Sequence, residues 1–506
     1  EIASKALEAI DVAKVHEAFK TFWIAAGYHL TLTTKDKPEN AEVNLSATYQ
    51  ESLGKPVEAP AAAAVEPFGY TNFGKPGTIT TRKEVADLGI TQLVLSNKIR
   101  VNLKSTDFEK NRISITARIG SGKLTQPANS PMLDEFANAV FNGGGLGKHS
   151  GDDLQRILAG KNVRSSLAIG EDAFILDGGT TPADFLLEMQ LLVANLTDPG
   201  YRNEALWQFQ KAIPPLYQQL RHTTVGPEQE MNAWLYGNDA RFTVAPQDKL
   251  SAYTIADAKK WLTPELTKGY LELTIVGDFQ IDAILPDILA TFGALPARAD
   301  KPAVLPAARV VKFPNAPASK TFTFESKIPQ AIATAVWKTA GMRDNLPEFR
   351  RYNVLSEIYQ NRLREEIREK LGASYSPDAR ANGSDALDGF GFIMGQSVGK
   401  PEDMELILKT MHELADELAR KGATEDELDR ALKPILGQLD KSWRSNSYWL
   451  GTVMSQSQAE PKRLDLARTR DNDYKSIKLT EINALAKKYL IAENALMVTI
   501  KPAPAQ

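Results

Sequence analysis

The chain has 506 residues, with 60 Lys+Arg against 63 Asp+Glu, a formal net charge of -3 and no cysteine. That balance argues against a nucleic-acid binder, which carries a basic excess, and the missing thiols exclude disulfides, thiolate zinc sites, cysteine-ligated iron–sulfur clusters and cysteine nucleophiles. Hydrophobic residues at 43% and charged residues at 24% are ordinary for a globular protein, and no apolar run approaches the ~18–20 residues of a membrane-spanning helix.

Across residues 11–23 apolar side chains recur at helical spacing (Val12, Val15, Ala18, Phe19, Phe22), and residues 28–33 alternate as a strand does. The chain opens on Glu1, already inside this unit and without a signal-peptide pattern, so it is expected to be a piece of something longer. The same unit recurs: residues 255–262 lead into 270–276, and 479–490 into 495–500, each an amphipathic helix followed by a strand. A second correspondence links 181–189 to 400–408. Pro182 and Pro401 sit near the first helical turn, where a missing N–H does no harm, and apolar residues follow at helical spacing.

The repeats divide the chain. Residues 1–50 read as the last helix and strand of a preceding domain, and 51–87 as a linker. There Pro56, Pro60, Pro67, Pro76 and the four alanines 61–64 favour an extended spacer. Two full domains follow, at 88–305 and 309–502. The first opens with two short strands within 93–103, after which 113–119 alternates as a half-buried strand. Strands and long amphipathic helices share each unit. The expected class is α+β: two tandem repeated αβ domains, each a mostly antiparallel sheet packed against helices.

This layout of duplicated αβ domains beside an extended linker resembles the pitrilysin/insulysin (M16) family of zinc metallopeptidases. The resemblance implies four such domains in two halves, with an inverted His-x-x-Glu-His zinc motif on a helix of the first half and a further Glu ligand later in that domain. The chain would then be the non-catalytic C-terminal half of a long bacterial member. In active family domains the motif helix ends in a block resembling Phe-Asn-Gly, here Phe141-Asn142-Gly143. Counting back, Asp134 and Asn138 stand at the two His positions and Ala137 at the Glu. The third ligand would fall near residue 215, yet no Asp or Glu occurs between Glu204 and Glu228, and Pro214-Pro215 interrupts the expected helix. A catalytic zinc takes about three protein ligands. The first full domain is therefore read as an inactive copy that binds no metal, and zinc is assigned to an N-terminal half outside this sequence.

Other candidates read as structural. The histidines His16, His29, His149, His222 and His412 include no pair within a helical turn, so exposed or structurally satisfied rings are expected. In Lys148-His149-Ser150-Gly151-Asp152-Asp153 a Ser/His/Asp triad is not expected, because neighbours in sequence seldom meet in triad geometry. The glycine-rich stretch 143–148 fails the phosphate-loop pattern at both ends, at Asn142 and His149, and reads as a tight turn.

The resemblance also implies an Arg and a Tyr that reach from the fourth domain into the active site. Arg368 and Tyr375, seven residues apart around Gly372, match that spacing, and Arg364 is a second candidate for the Arg. Such donors would stabilise the negative charge that develops on a scissile carbonyl oxygen. The plainer reading is an exposed, charge-laced helix ending near Gly372. Two functions stay open: half of a zinc endopeptidase, facing its own catalytic half around a peptide or small-protein substrate, or a metal-free scaffold or recognition subunit for a separate active chain. A bacterial periplasm is the expected compartment.

Overall fold

A computed structural model of the chain describes residues 6–7, 9–23, 28–36, 38–56, 66–372 and 377–503. Residues 1–64 and 65–506 form separate units. In the first, the apolar spacing produces the helix Val12–Phe22, capped by Asp11, whose carboxylate accepts the Lys14 N–H at 2.8 Å. Its apolar stripe is bare, with Val12 and Phe22 each 86% exposed. One expectation fails here. Residues 28–33 form no strand, since the described residues of this unit offer no partner strand for their backbone. Instead a second helix, Ala41–Leu53, packs Tyr49 against Tyr28 at 4.3 Å between ring centroids, and Gln50 donates to the Tyr28 hydroxyl at 2.6 Å.

The second unit holds two sheets. The first consists of β1 (Ile79–Val85), β2 (Ile90–Leu95), β3 (Arg100–Ser105), β4 (Ile113–Ile119), β5 (Ser165–Ile169), β6 (Phe174–Thr180) and β7 (Leu271–Gly277), in the order β1-β2-β3-β7-β4-β6-β5. The second consists of β8 (Ala318–Phe324), β9 (Ala331–Lys338), β10 (Asp378–Gly383), β11 (Gly391–Gly399) and β12 (Ala495–Pro502), in the order β10-β11-β9-β12-β8. All pairs are antiparallel except β3 with β7 and β8 with β12. Reading β3-β7-β4-β6-β5 against β8-β12-β9-β11-β10, the two orders coincide and the single parallel pair falls in the same place. The duplication is thus topological, and the α+β expectation holds. β1 lies inside residues 51–87, expected as linker, because Thr81 to Val85 pair residue by residue with Val94 to Ile90 of β2, after a register shift beyond Ile79.

Each sheet packs one face on helices of its own copy. Phe136 and Val140 of Leu133–Gly143, Met189 and Leu192 of Phe185–Thr197, and Leu262 of Ile255–Lys268 bury Leu273 and Ile275 of β7. In the second copy Tyr352, Leu355 and Tyr359 of Leu346–Leu363, Ile407 and Met411 of Met404–Lys421, and Ile482 of Leu479–Tyr489 bury Ala335 and Trp337 of β9.

The opposite faces are covered reciprocally. Met231 and Leu235, on the helix Val225–Leu235 of the first copy, lie in one cluster with Phe322, Val336 and Val498 of the second sheet. Trp449, Val453 and Met454, on the π-helical turn Tyr448–Met454 of the second copy, lie with Val85, Ile90 and Val276 of the first. Fully burying such a side chain contributes ~1.5–3 kcal/mol, so each copy stabilises the other.

At the centre of this interface lies Glu272 of β7, 1% exposed. Its carboxylate accepts from Asn102 Nδ2 (2.7 Å), Gln458 N–H (2.9 Å), the Tyr270 hydroxyl (2.8 Å) and Ala459 N–H (3.3 Å). Burial pushes its pKa up, against the Gln458, Asn102 and Tyr270 donors that favour the ionised form. Replacing Glu272 with Ala strands donors from both copies. At ~1–3 kcal/mol per buried unsatisfied group, the variant is expected to lose about 3 kcal/mol or more in urea unfolding; a loss below about 0.5 kcal/mol would contradict the role given to this carboxylate.

Candidate functional site

The position where an inactive zinc site was expected is the helix Leu133–Gly143, whose apolar residues face the first sheet and whose polar residues turn toward a small cleft. Asp134 is buried there and ion-paired with Lys123, whose Nζ lies 2.5 Å from its Oδ2. Lys123 comes from the short turn Gly122–Thr125 that follows β4, and its ammonium also lies 5.6 Å from the centre of the Phe242 ring. Ala137 is fully buried among apolar side chains. Asn138 accepts from the amide of Asn142, one helical turn on.

Asn142 has a second role. Its amide accepts the Leu167 N–H at 2.8 Å and donates to the Leu167 carbonyl at 2.9 Å, so it pairs the outer edge of β5 as a neighbouring strand would. In the second copy Gln360 of the equivalent helix likewise accepts the Ala379 N–H of β10, at 3.3 Å. The region of the third ligand holds Pro214 and Pro215, and here the expectation of an interruption fails. The helix Asn203–His222 runs through both, although neither proline supplies an N–H to the carbonyl four residues back.

Lys123 and Asp134 border a cavity of about 150 Å³, together with Glu135, Leu216, Gln229 and Arg241. The set does not fit a catalytic zinc: one carboxylate already holds a cation, one position is a methyl group and one is an amide committed to its neighbour. Among the described residues no group of three or more His, Asp or Glu side chains is placed to hold a metal ion. What the arrangement supplies is a small cleft in which two cations, Lys123 and Arg241, sit with two carboxylates, Asp134 and Glu135.

The second candidate site lies after the equivalent helix of the second copy. Leu346–Leu363 passes into the π-helical turn Arg364–Lys370 and ends at Gly372, which takes φ +61, a left-handed conformation that glycine adopts without strain. Ile367 is buried and anchors the turn, Arg364 is half-buried and Arg368 is exposed. Neither arginine makes an ion pair with a described residue. Tyr375 lies outside the described residues.

The remaining candidates resolve as structure. Ser150 caps the helix Gly151–Ile157 in a reciprocal pair with Asp153, and His149 turns away from both to accept the Gly69 N–H at 2.8 Å. No Ser-His-Asp relay forms among them. His222 bonds the Glu325 carbonyl through Nδ1 at 3.0 Å. Lys123 had no motif to mark it, and the Phe141-Asn142-Gly143 block marked Asn142 without its role on β5, since their partners lie 11 and 25 residues away.

The fold is similar to that of solved M16 peptidases. Residues 254–435 match the family model of the peptidase M16 inactive domain. The chloroplastic stromal processing peptidase of Pisum sativum is 22% identical over 460 residues, 79% of this chain and 36% of that protein; the chain thus spans little more than a third of its length. The periplasmic protease PqqL of Escherichia coli superimposes with a TM-score of 0.72 at 21% identity, covering 93% of this chain and 51% of that one. The ferredoxin protease FusC, solved as a mutant in complex with Arabidopsis ferredoxin, gives 0.72 at 15% identity, covering 99% and 55%. Among the described residues no helix is long and apolar enough to cross a membrane.

The Lys123–Asp134 pair yields a test. Lys123→Met leaves a buried carboxylate without its cation and is expected to cost about 2–3 kcal/mol in denaturant unfolding, while adding Asp134→Leu restores most of the loss. Unchanged stability in the single variant would show that the pair does not hold the pocket together.

Proposed function

We propose that this chain, whose residues 254–435 match the peptidase M16 inactive domain, is the non-catalytic half of a zinc-dependent endopeptidase. The observation that supports the reading is the chemistry of Asp134, Ala137 and Asn138, the positions where the resemblance would place metal ligands. Asp134 is engaged by Lys123, Ala137 is a methyl group buried in the core, and Asn138 accepts from Asn142, so the three offer no ligand set. In this reading the zinc and its general base belong to a catalytic half, and this half supplies chamber wall and substrate-binding surface.

The bare stripe on Val12–Phe22 supports a partner of that kind. The helices Ile255–Lys268 and Leu479–Tyr489, which share its pattern, bury Trp261 and Leu262, or Ile482 and Ala486, against the sheets they precede. By the same logic the Val12–Phe22 stripe belongs on the sheet of an adjoining domain. A peptide or small protein is the proposed substrate, and a periplasm the proposed compartment; the chloroplastic relatives show that the compartment varies among similar proteins.

For Arg368, or Arg364, and Tyr375 the proposed role is hydrogen-bond donation to the substrate backbone and to the charge that develops on the attacked carbonyl oxygen. A guanidinium or phenol does this best when fixed before the reaction, and buried Ile367 anchors the turn that carries both arginines. In the assembled enzyme Tyr375→Phe is expected to lower kcat on the order of 10²–10³-fold with little change in KM; unaltered turnover removes Tyr375 from the mechanism.

The reading itself is tested by mixing this chain with an active M16 half and assaying an unfolded peptide. Hydrolysis that needs both components supports it. A half fully active without this chain, and unaffected by it, would contradict it. Rescue only by an independently encoded active peptidase would favour the scaffold or recognition subunit instead.

A further inference from the structure

The loop between Leu133–Gly143 and Gly151–Ile157 stands out in sequence for its glycines and for Lys148-His149-Ser150, and the proposed function gives it no task. It is held firmly. Gly145 takes φ +62, and Leu146 and His149 exchange backbone hydrogen bonds at 2.8 and 3.1 Å. The Arg202 guanidinium grips the carbonyls of Gly144, Leu146 and Gly147 at 2.6–2.9 Å, and the Asp198 carbonyl takes the Gly147 N–H at 2.9 Å.

Onto this loop docks the segment at 68–70. The Gly69 N–H donates to His149 Nε2 at 2.8 Å, and Lys148 Nζ donates to the Gly69 carbonyl at 2.8 Å. The Tyr70 hydroxyl accepts the Lys148 N–H at 2.8 Å and donates to Asp198 Oδ2 at 2.6 Å. Phe68 stacks on the His149 ring at 5.8 Å, and Tyr70 meets it edge-on at 5.9 Å. His149 is left 4% exposed.

A backbone N–H can only donate, so Nε2 must present its lone pair and the docked imidazole is neutral, with its proton on Nδ1. Protonating Nε2 would set two N–H groups face to face. The charged and titratable groups around the ring offer no relief. Lys148 and Arg202 are cations. Burial, then the bond to Asp198, pushes the Tyr70 phenol up to about 12, so it stays neutral. Asp198 is engaged by Tyr70, and Asp153 by the Ser150 cap and Arg156. A ring protonated at Nε2 therefore cannot keep its contact with the Gly69 N–H.

We propose that this loop is a proton-sensitive latch for the segment that leads into β1: neutral His149 holds Gly69 in place, and protonated His149 lets it go. Histidine changes charge between about pH 5 and 8, so the latch works in a range that exported and organellar proteins meet. The inference rests on contacts within residues 65–506 and stands whether or not the chain is half of a peptidase.

Backbone hydrogen exchange of the whole 506-residue chain at pH 8 and pH 5, normalised to intrinsic rates, tests it. Protection at Gly69 is expected to fall about tenfold or more at pH 5, while amides of β7 keep theirs. His149→Gln keeps an acceptor oxygen but cannot titrate, and should remove the pH difference. Equal protection of Gly69 at both pH values overturns the latch. So does a pH-dependent loss that persists in His149→Gln, or one shared by the β7 amides.

Discussion

Each sheet has two apolar faces, and each copy of the repeated domain carries helices enough to cover only one. The exposed face of either sheet alone would leave Val336 and Val498, or Ile90 and Val276, in water. The element that follows the third long helix of each copy therefore lies on the other copy's sheet. An interface in which equivalent elements cover equivalent surfaces is the intrachain form of a twofold dimer contact. Glu272 adds direction to this apolar contact, because its four donors come from both copies and accept only one register. Residues 65–506 accordingly form one unit rather than two.

Apolar packing of this kind also fixes the first long helix. The helix Leu133–Gly143 owes its position to Phe136, Val140 and Phe141 on the sheet, not to any ligand. Its polar residues are paired: Lys123 neutralises Asp134 with a single charge, and Asn142 turns its amide to closing the edge of β5. A buried ion pair adds little net stability but is costly to break from one side, so Lys123 and Asp134 hold one another in place.

Much of this was legible from the sequence. The helix–strand repeats at 255–276 and 479–500 and the proline-led helices after Pro182 and Pro401 marked the duplication, because hydrophobic period and start signals are local. What stayed hidden depends on partners far apart in the chain: Lys123 with Asp134, Asn142 with Leu167, Glu272 with Gln458, Gly69 with His149. The alternation at 28–33 misled, since a strand exists only beside another strand. Pro214-Pro215 misled in the other sense, because tertiary packing kept a helix that propensity would break. β1 was masked by the proline-rich stretch before it.

The turn after Leu346–Leu363 and the small cleft beside Leu133–Gly143 belong to equivalent helices of the two copies, one presenting arginines and the other withdrawing its charges. The account stands or falls on whether this chain can cleave a bond by itself. The most direct measurement is hydrolysis of an unstructured peptide by the purified chain with zinc added, repeated after chelation. No turnover above the uncatalysed background in either arm is the predicted result; hydrolysis that zinc supports and a chelator abolishes would contradict it.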